Sequence, residues 1–583
     1  MKFSVLALDF DGTIARHDRL DDAVREAIAD VRARGVVVIL VTGRILEDLR
    51  RVTGGLHFVD AVVAENGAVV EFPASGYTTR NGSPPAPAFL DALGQAGVRV
   101  DTGTVVVEAD ASQAPAILDV IRRLELPLSI VFNRSRLMVL PQTISKASGL
   151  RQALAVLRLS PRNALGIGDA ENDHDLLQVC EVGVAVGWGS AALQAAADDV
   201  LPGTGPAAVA DYIRRLAVDR LLPVPTRTRR RLRLGHDATG TPFELAVRGR
   251  NVLVAGAPKS GKSWVAGLLC EQLILHGYSL CILDPEGDYV ALEALPGVTV
   301  LGGADPLPRP ADVVRALRHA DVSVVIDLSR VAHDPKVAYM RNLLPALNVL
   351  RRHTGIPHRI IVDEAHYFLY DTDVPELLDL EINGYTLVSY RASKLHPAAL
   401  ASTQVIVVTR ESDPYEADAL LTLCPTCAGR PVASTWRHLL GGLDIDEAAI
   451  LPVTEETQGG VRRIRLAPRL TPHVRHQAKY IDVPIGESLG FVVWHDGAPT
   501  THRIRTLREF VTVIESTRTA RLHGHLVRND FSRWIADVFG DFVLAETIRA
   551  AETDYRRGQL AEPMAVMAQA VRSRYEFVDG PWW

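Results

Sequence analysis

No stretch of this chain approaches the ~20 uninterrupted apolar residues that a membrane helix requires, so no spanning segment is expected. Cysteine is scarce. Five in 583 residues are too few and too scattered for a disulfide framework, which points to a reducing compartment, the cytoplasm. Cys424-Pro425-Thr426-Cys427 is the one CxxC, and a single pair lacks the other two ligands of a structural zinc site, so it reads as two reduced thiols in a loop. Neither sign of charge dominates. A formal net charge of −6 gives no general attraction to nucleic acid or anionic membrane, although it leaves room for a local basic channel. The opening MKFSVLALDFDGT shows no signal-peptide cleavage pattern and is expected to form a first strand. Internal repeats and low-complexity tracts are absent.

What is present describes an ordinary globular chain, 47% hydrophobic and 23% charged, long enough for three or four domains. Residues 1 to about 218 alternate short β-branched runs with helical patterns, which implies a parallel sheet covered by helices. The expected strands are Val5 to Leu8, Val36 to Val41, Ala61 to Ala64, Leu165 to Ile167 and Val182 to Val186. Asp21 is positioned to cap a helix that Gly35 stops. A stretch from about 76 to 142 has a different texture, Pro-rich and then βαβ-like, and reads as a cap inserted over a site. Residues 219–233 hold several prolines and arginines and are expected to be a solvated linker or edge strand, with nucleic-acid contact as the alternative. A second α/β pattern occupies 234–480. From 484 to 583 a strand-like GFVVW precedes helices around Phe531 and Trp534, which with Trp494, Trp582 and Trp583 are read as packing residues. No role is assigned to that last region.

The densest chemistry lies at strand ends, where open α/β sheets place ligands. Asp9-Phe10-Asp11-Gly12-Thr13 follows the first strand, and Gly12 lets the chain turn so that both carboxylates face one cavity. Adjacent carboxylates repel, so a divalent cation is their natural stabiliser. Thr42, in Val41-Thr42-Gly43-Arg44, places a hydroxyl and backbone donors near an anion. Lys146 starts a helix, where its ammonium can neutralise phosphate oxygens. Gly168-Asp169-Ala170-Glu171-Asn172-Asp173 supplies further acidic ligands.

In this order, and with Glu65-Asn66-Gly67-Ala68 between, these residues resemble the haloacid dehalogenase superfamily, specifically the Cof-like, type IIB phosphatases. That resemblance implies an α/β fold with a Rossmann-like domain and an inserted α/β cap. It implies Asp9 as nucleophile, Asp11 as general acid and base, and Thr42 and Lys146 as holders of the phosphoryl oxygens. Mg²⁺ is then expected on Asp9, Asp169 and the backbone carbonyl of Asp11, with Asp173 nearby. The substrate would be a phosphorylated small molecule.

The strand-like Asn251 to Ala255 leads into Gly256-Ala257-Pro258-Lys259-Ser260-Gly261-Lys262-Ser263, a complete phosphate loop followed by helical spacing. Backbone N–H groups would cradle the phosphates of ATP, Lys262 would bridge β and γ, and Ser263 would hold Mg²⁺. Asp363, closing an apolar run, is the expected second metal partner, and Glu364 the residue that polarises water. Leu283-Asp284-Pro285-Glu286-Gly287-Asp288-Tyr289 and Leu234 to Asp237 add a resemblance to the HerA/FtsK branch of P-loop ATPases. This implies a RecA-like domain, a homo-oligomeric ring of hexameric type, and an arginine completing a neighbour's site, for which Arg391 and Arg410 are candidates. Relatives carry glutamine where this chain has Tyr390, and tyrosine cannot orient water and phosphate as an amide does. His473 and His476 lie three apart among arginines without further metal ligands. Three whole-chain readings remain open: a bifunctional hydrolase, an ATP-driven nucleic-acid machine that processes ends, and a nucleotide-organised assembly protein.

Overall fold

The computed structural model describes residues 2–133, 135–219, 221–246, 248–258, 260–370, 374–423, 433–451, 461–472, 490–495, 498–539 and 541–574. Lys259, the Cys424–Cys427 pair, His473, His476, Trp582 and Trp583 lie outside the described residues.

An eight-stranded sheet organises the first unit. Its spatial order is Asp199–Leu201, Val182–Val186, Ala164–Gly168, Val5–Asp9, Val37–Val41, Ala61–Ala64, Val69–Phe72 and Tyr77–Arg80. The first six strands are parallel and the last two antiparallel. The central strands are buried at every position, as expected of a sheet covered on both faces. Asp21 caps the helix Asp22–Ala33 by accepting from the Ala23 N–H at 2.9 Å.

The inserted region differs from the sequence expectation at its start. Tyr77–Arg80 is the outermost strand of the main sheet, so the separate fold begins after it. That fold is a four-stranded antiparallel sheet in the order Leu128–Asn133, Arg136–Pro141, Val107–Asp110, Asp101–Thr102. Helices Pro87–Gln95 and Ala114–Arg123 pack on it around Phe89, Leu93, Ile117 and Val139.

The second unit is built on an eleven-stranded sheet. Thr403–Val408, Asn251–Ala255, Tyr385–Ser389, Arg359–Val362, Leu280–Asp284, Ser323–Asp327 and Val298–Gly302 run parallel. Four antiparallel strands, Glu447–Leu451, Arg462–Leu466, Leu232–His236 and Pro242–Leu245, extend one side. The last unit pairs Phe491–His495 with Ala498–Ile504 and packs helices around Phe510, Phe531, Trp534 and Ile548. Trp494 is instead exposed. Among the described residues no helix is long and apolar enough to cross a membrane.

The arginine-rich linker is solvated only in part: Arg227, Arg231 and Arg233 are exposed, whereas Arg229 and Arg230 reach the first unit. Arg229 pairs with Asp198 and donates to the Leu177 carbonyl at 2.8 Å. Arg230 donates to the Gln178 carbonyl at 2.6 Å and the Glu181 carbonyl at 3.2 Å. A guanidinium carries five donors and finds carbonyl acceptors on the first unit, which outweighs what water offers an exposed chain. Glu181 then meets Arg162 at 3.3 Å, Arg230 at 3.6 Å and Arg248 at 3.8 Å, and accepts from the Tyr278 hydroxyl at 2.9 Å. Tyr278 precedes a strand of the second sheet and Glu181 a strand of the first, so both sheets approach each other by their N-terminal edges.

Candidate active sites

In the first unit the parallel pairing of Val5–Asp9 with Ala164–Gly168 brings Asp9, the last residue of its strand, beside Asp169, the residue that follows the other. Lys146 arrives from a third direction, opening the helix Lys146–Leu157. Ser145 caps that helix by accepting from the Ser148 N–H, and the Ser148 hydroxyl accepts from the Ser145 N–H in return. This capping box fixes where the lysine stem begins. The Lys146 side chain is 1% exposed, and its Nζ donates to Asp9 Oδ1 at 2.7 Å and Asp173 Oδ1 at 2.6 Å. Asp173 uses its other oxygen to accept from the N–H groups of Asp169 at 2.9 Å and Ala170 at 3.1 Å.

Asp9, Asp169 and Asp173 each offer a buried carboxylate oxygen, all within 4.8 Å of one another. Asp9 Oδ2 is buried without a hydrogen-bond partner. Three carboxylates against one ammonium leave negative charge to be balanced, and an all-oxygen donor set suits Mg²⁺. The residues present fit the ion. Burial, followed by Asp173, pushes the Asp9 carboxyl well above the usual range, while Lys146 pulls it down. Burial opposes the Lys146 charge, yet Asp173 and Asp9 hold it above the ordinary lysine value.

The Asp11 side chain stands apart from this trio, the expected ligand there being its backbone carbonyl. Arg44 grips it in a two-pronged pair, Nε to Oδ2 at 2.7 Å and Nη2 to Oδ1 at 2.6 Å, and also reaches Asp18 and Asp48. A planar guanidinium satisfies a carboxylate better than three neighbouring anions would. Thr42 is buried beside it, its hydroxyl accepting from the Arg44 N–H at 3.1 Å. Sequence alone assigns Arg44 no role; only its place two residues after Thr42 hints at one. From the inserted fold, Met138 lies over this loop, since a Cβ at Gly43 would meet Met138 Cε at 2.9 Å. Asn172 Nδ2 is nearby, buried and without a partner. Glu65, in left-handed backbone at φ 52°, accepts from the N–H groups of Thr104 and Val105 at 2.9 Å and Val106 at 3.3 Å.

In the second unit the strand Asn251–Ala255 ends in a loop whose Gly256 has φ 150° and whose Gly261 has φ 101°. Ser260 Oγ lies 2.5 Å from Thr409 Oγ1, tying the loop to the neighbouring strand end. The helix Lys262–Leu275 follows. Lys262 Nζ donates to the Ala257 carbonyl at 3.0 Å, and burial lowers its pKa. Ser263 Oγ donates to Asp288 Oδ2 at 2.7 Å, a contact that no spacing in the sequence marks. Asp363 is held well above the usual carboxylate range by burial and by Glu364. Glu364 sits at φ 45°, and burial pushes it up to about 7. Ser263, Asp363 and Asp288 form an oxygen-rich set fit for Mg²⁺ beside a phosphate cradle. Tyr390 packs against His366 with ring centroids 4.4 Å apart, and the Lys262 ammonium lies 5.8 Å from its ring centroid. Arg391 and Arg410 are both exposed.

Comparison with known proteins finds a family for each of the first two units. Residues 6–85 and 104–213 match the haloacid dehalogenase-like hydrolase family, and residues 245–364 match the central domain of helicase HerA. A phosphoglycolate phosphatase of Natronomonas pharaonis is 30% identical over 210 residues, 33% of this chain and 89% of that protein. One from Methanosarcina acetivorans is 26% identical over 223 residues, 34% of this chain and 90% of that protein. Among solved structures, a haloacid dehalogenase-like hydrolase from Bacteroides thetaiotaomicron aligns at 18% identity and TM-score 0.34, over 37% of this chain and 100% of that one. The chain belongs to the haloacid dehalogenase-like hydrolases, and behind that domain it carries a HerA-type central ATPase domain.

Proposed function

We propose that the first unit is a Mg²⁺-dependent phosphatase for a small phosphomonoester and that the second binds and hydrolyses ATP. The observation that carries the reading is the Lys146 ammonium held between Asp9 and Asp173, with Asp169 completing a buried acidic trio. Asp9 attacks phosphorus, the bond to the leaving oxygen breaks, and an aspartyl-phosphate forms. Asp11 gives its proton to the leaving oxygen and later takes one from the water that cleaves the aspartyl-phosphate. Its pairing with Arg44 keeps that carboxyl out of the acidic trio, and the pair must open for the carboxyl to take up the proton it gives. Lys146 and Thr42 hold phosphoryl oxygens. Asp9, Asp169 and the Asp11 carbonyl would hold Mg²⁺, with Asp173 nearby, and the ion would supply positive charge that lets two anions approach.

Curated relatives are phosphoglycolate phosphatases, so a phosphorylated two-carbon acid and sugar phosphates are the first substrates to try. In the second unit Lys262 and the loop amides hold the phosphates, and Glu364 takes a proton from the attacking water. HerA-type domains suggest a homo-oligomeric ring. Buried free thiols at Cys180, Cys270 and Cys281 suit the cytoplasm.

Asp9→Asn and Glu364→Gln test the pair of activities. Phosphate release from esters should vanish only in the first variant, and ATP turnover only in the second. Equal ester hydrolysis by wild type and Asp9→Asn would sink the phosphatase; stimulation of ATP turnover by DNA would favour a nucleic-acid machine.

A further inference from the structure

The Asp9–Asp11 segment bends at Gly12, whose φ of 80° is open to glycine and strained for other residues. A glycine hinge inside a catalytic loop is free to wander unless the peptides on both sides of it are held. The peptide before Gly12 is held by its own N–H, which donates to the Ala15 carbonyl at 3.1 Å. The peptide after it is held from outside. The Trp188 indole Nε1–H donates to the Gly12 carbonyl at 2.7 Å.

Trp188 belongs to a short loop, Gly187-Trp188-Gly189-Ser190, that follows the strand Val182–Val186. The same loop braces the other ligand-bearing turn. Ser190 N–H donates to the Asp169 carbonyl at 2.8 Å, and a Cβ at Gly189 would fall 2.6 Å from that oxygen. Gln194 Nε2 closes the loop on the Gly187 and Gly189 carbonyls at 3.2 and 3.0 Å, and Gly187 N–H anchors it to the Leu201 carbonyl at 2.8 Å. The indole ring packs partly buried against the main core. One four-residue segment therefore fixes both the Asp9–Asp11 turn and the Asp169 turn, the two places whose separation decides whether one cation can touch both.

We propose that Trp188 is a positioning residue of the phosphatase site, its indole N–H setting the Gly12 peptide and with it the distance and orientation of the Asp9–Asp11 turn relative to Asp169. The inference rests on the phosphatase reading of the first unit. It differs from a packing role in one respect: an apolar side chain can be kept while the N–H donor is removed.

Trp188→Phe makes that change with a smaller ring, and Trp188→Leu repeats it with an aliphatic side chain; neither has a donor. Outer partners of metal ligands typically govern metal affinity or activity by about 10- to 100-fold. Both variants should therefore lose about tenfold in kcat on the best phosphomonoester, with KM within about twofold of wild type. The Mg²⁺ concentration for half activity should rise by about tenfold or more. Mg²⁺ titration by calorimetry without nucleotide should weaken to match, taking the signal lost in Asp169→Asn as that of this site. ATP turnover in the same chain and the melting temperature should hold. Unchanged kcat and Mg²⁺ affinity in both variants would overturn the inference. So would a parallel fall in kcat, ATP turnover and melting temperature, the mark of packing alone. If wild type cleaves no phosphomonoester, the phosphatase reading fails, and the calorimetric Mg²⁺ affinity of wild type against Trp188→Phe still decides the role of the indole.

Discussion

His358 Nε2 and Asn163 Oδ1 lie 3.1 Å apart and join the two hydrolase units at the roots of their acidic strands. Asn163 precedes Ala164–Gly168, which leads to Asp169, and His358 precedes Arg359–Val362, which leads to Asp363. The tautomer is fixed by the network: His358 Nδ1 accepts from the Ser279 N–H at 2.8 Å, so Nε2 carries the proton and donates to Asn163. Asn163 in turn donates to the Lys2 carbonyl at 3.1 Å.

This pair makes stability pH-dependent. Burial lowers the His358 pKa to about 3, whereas an unfolded histidine titrates near ~6.5. Between those values the unfolded chain binds more protons, so the contribution is complete above ~pH 6.5 and drains away as pH falls toward the folded value. His358→Gln should flatten the acid side of the melting-temperature profile. A variant as acid-sensitive as wild type would show that other groups set that slope.

Lys146 is the cation shared by two of the three buried carboxylates, and its removal leaves like charges facing each other. Lys146→Ala should abolish phosphate release and, by stripping a buried pair of one partner, cost roughly 3–5 kcal/mol in denaturant melts. Asp9→Asn should be equally inactive but far milder, because Asn still offers Lys146 an oxygen. Added Mg²⁺ should restore part of the stability lost in Lys146→Ala. Equal melts for the two variants would contradict this ordering.

Glu65 fastens the inserted fold through three backbone N–H groups. Glu65→Ala strands those donors, each costing about 1–3 kcal/mol when buried and unmade. The expected result is early proteolysis within 100–110, read by mass spectrometry, before the main sheet is cut. Glu65→Gln, keeping one acceptor oxygen, should fall between alanine and wild type.

In the last unit Glu552 is 0% exposed and accepts from the N–H groups of Phe531 at 3.2 Å and Ser532 at 3.3 Å. Burial raises its pKa to about 7. A raised carboxyl stabilises the fold fully below its unfolded value near ~4.3 and loses that contribution as pH climbs through the folded one. Glu552→Gln should therefore melt higher than wild type at pH 8 and converge with it near pH 5. The reverse order would mean the carboxylate is better paired than its two backbone donors suggest.

Much of both sites is legible in the sequence because strand-end chemistry is local. Asp9, Lys146, Asp169, Lys262 and Asp363 each announce themselves through an apolar run, a glycine or a helix start beside them. Distant partners carry no such mark. Trp188 stands 176 residues from Gly12, and nothing in its own neighbourhood names the carbonyl it bonds. The spacing of Asp11 from Asp9 allows it to face the metal; the Arg44 fork that turns its side chain away is visible only in three dimensions. Arg229 and Arg230 read as solvated for the same reason, since the carbonyls that receive them come from Leu177 and Gln178, some fifty residues upstream. The inserted fold begins later than its composition suggests, because the strand Tyr77–Arg80 has the texture of the insertion while it pairs with Val69–Phe72 of the main sheet.

Because the two sheets meet at their N-terminal edges, Asp169 and Asp363 stand at the strand ends that face away from the junction. Among the described residues a chain of contacts joins the two sites strand to strand, from Asp169 back to Asn163, across to His358 and forward to Asp363.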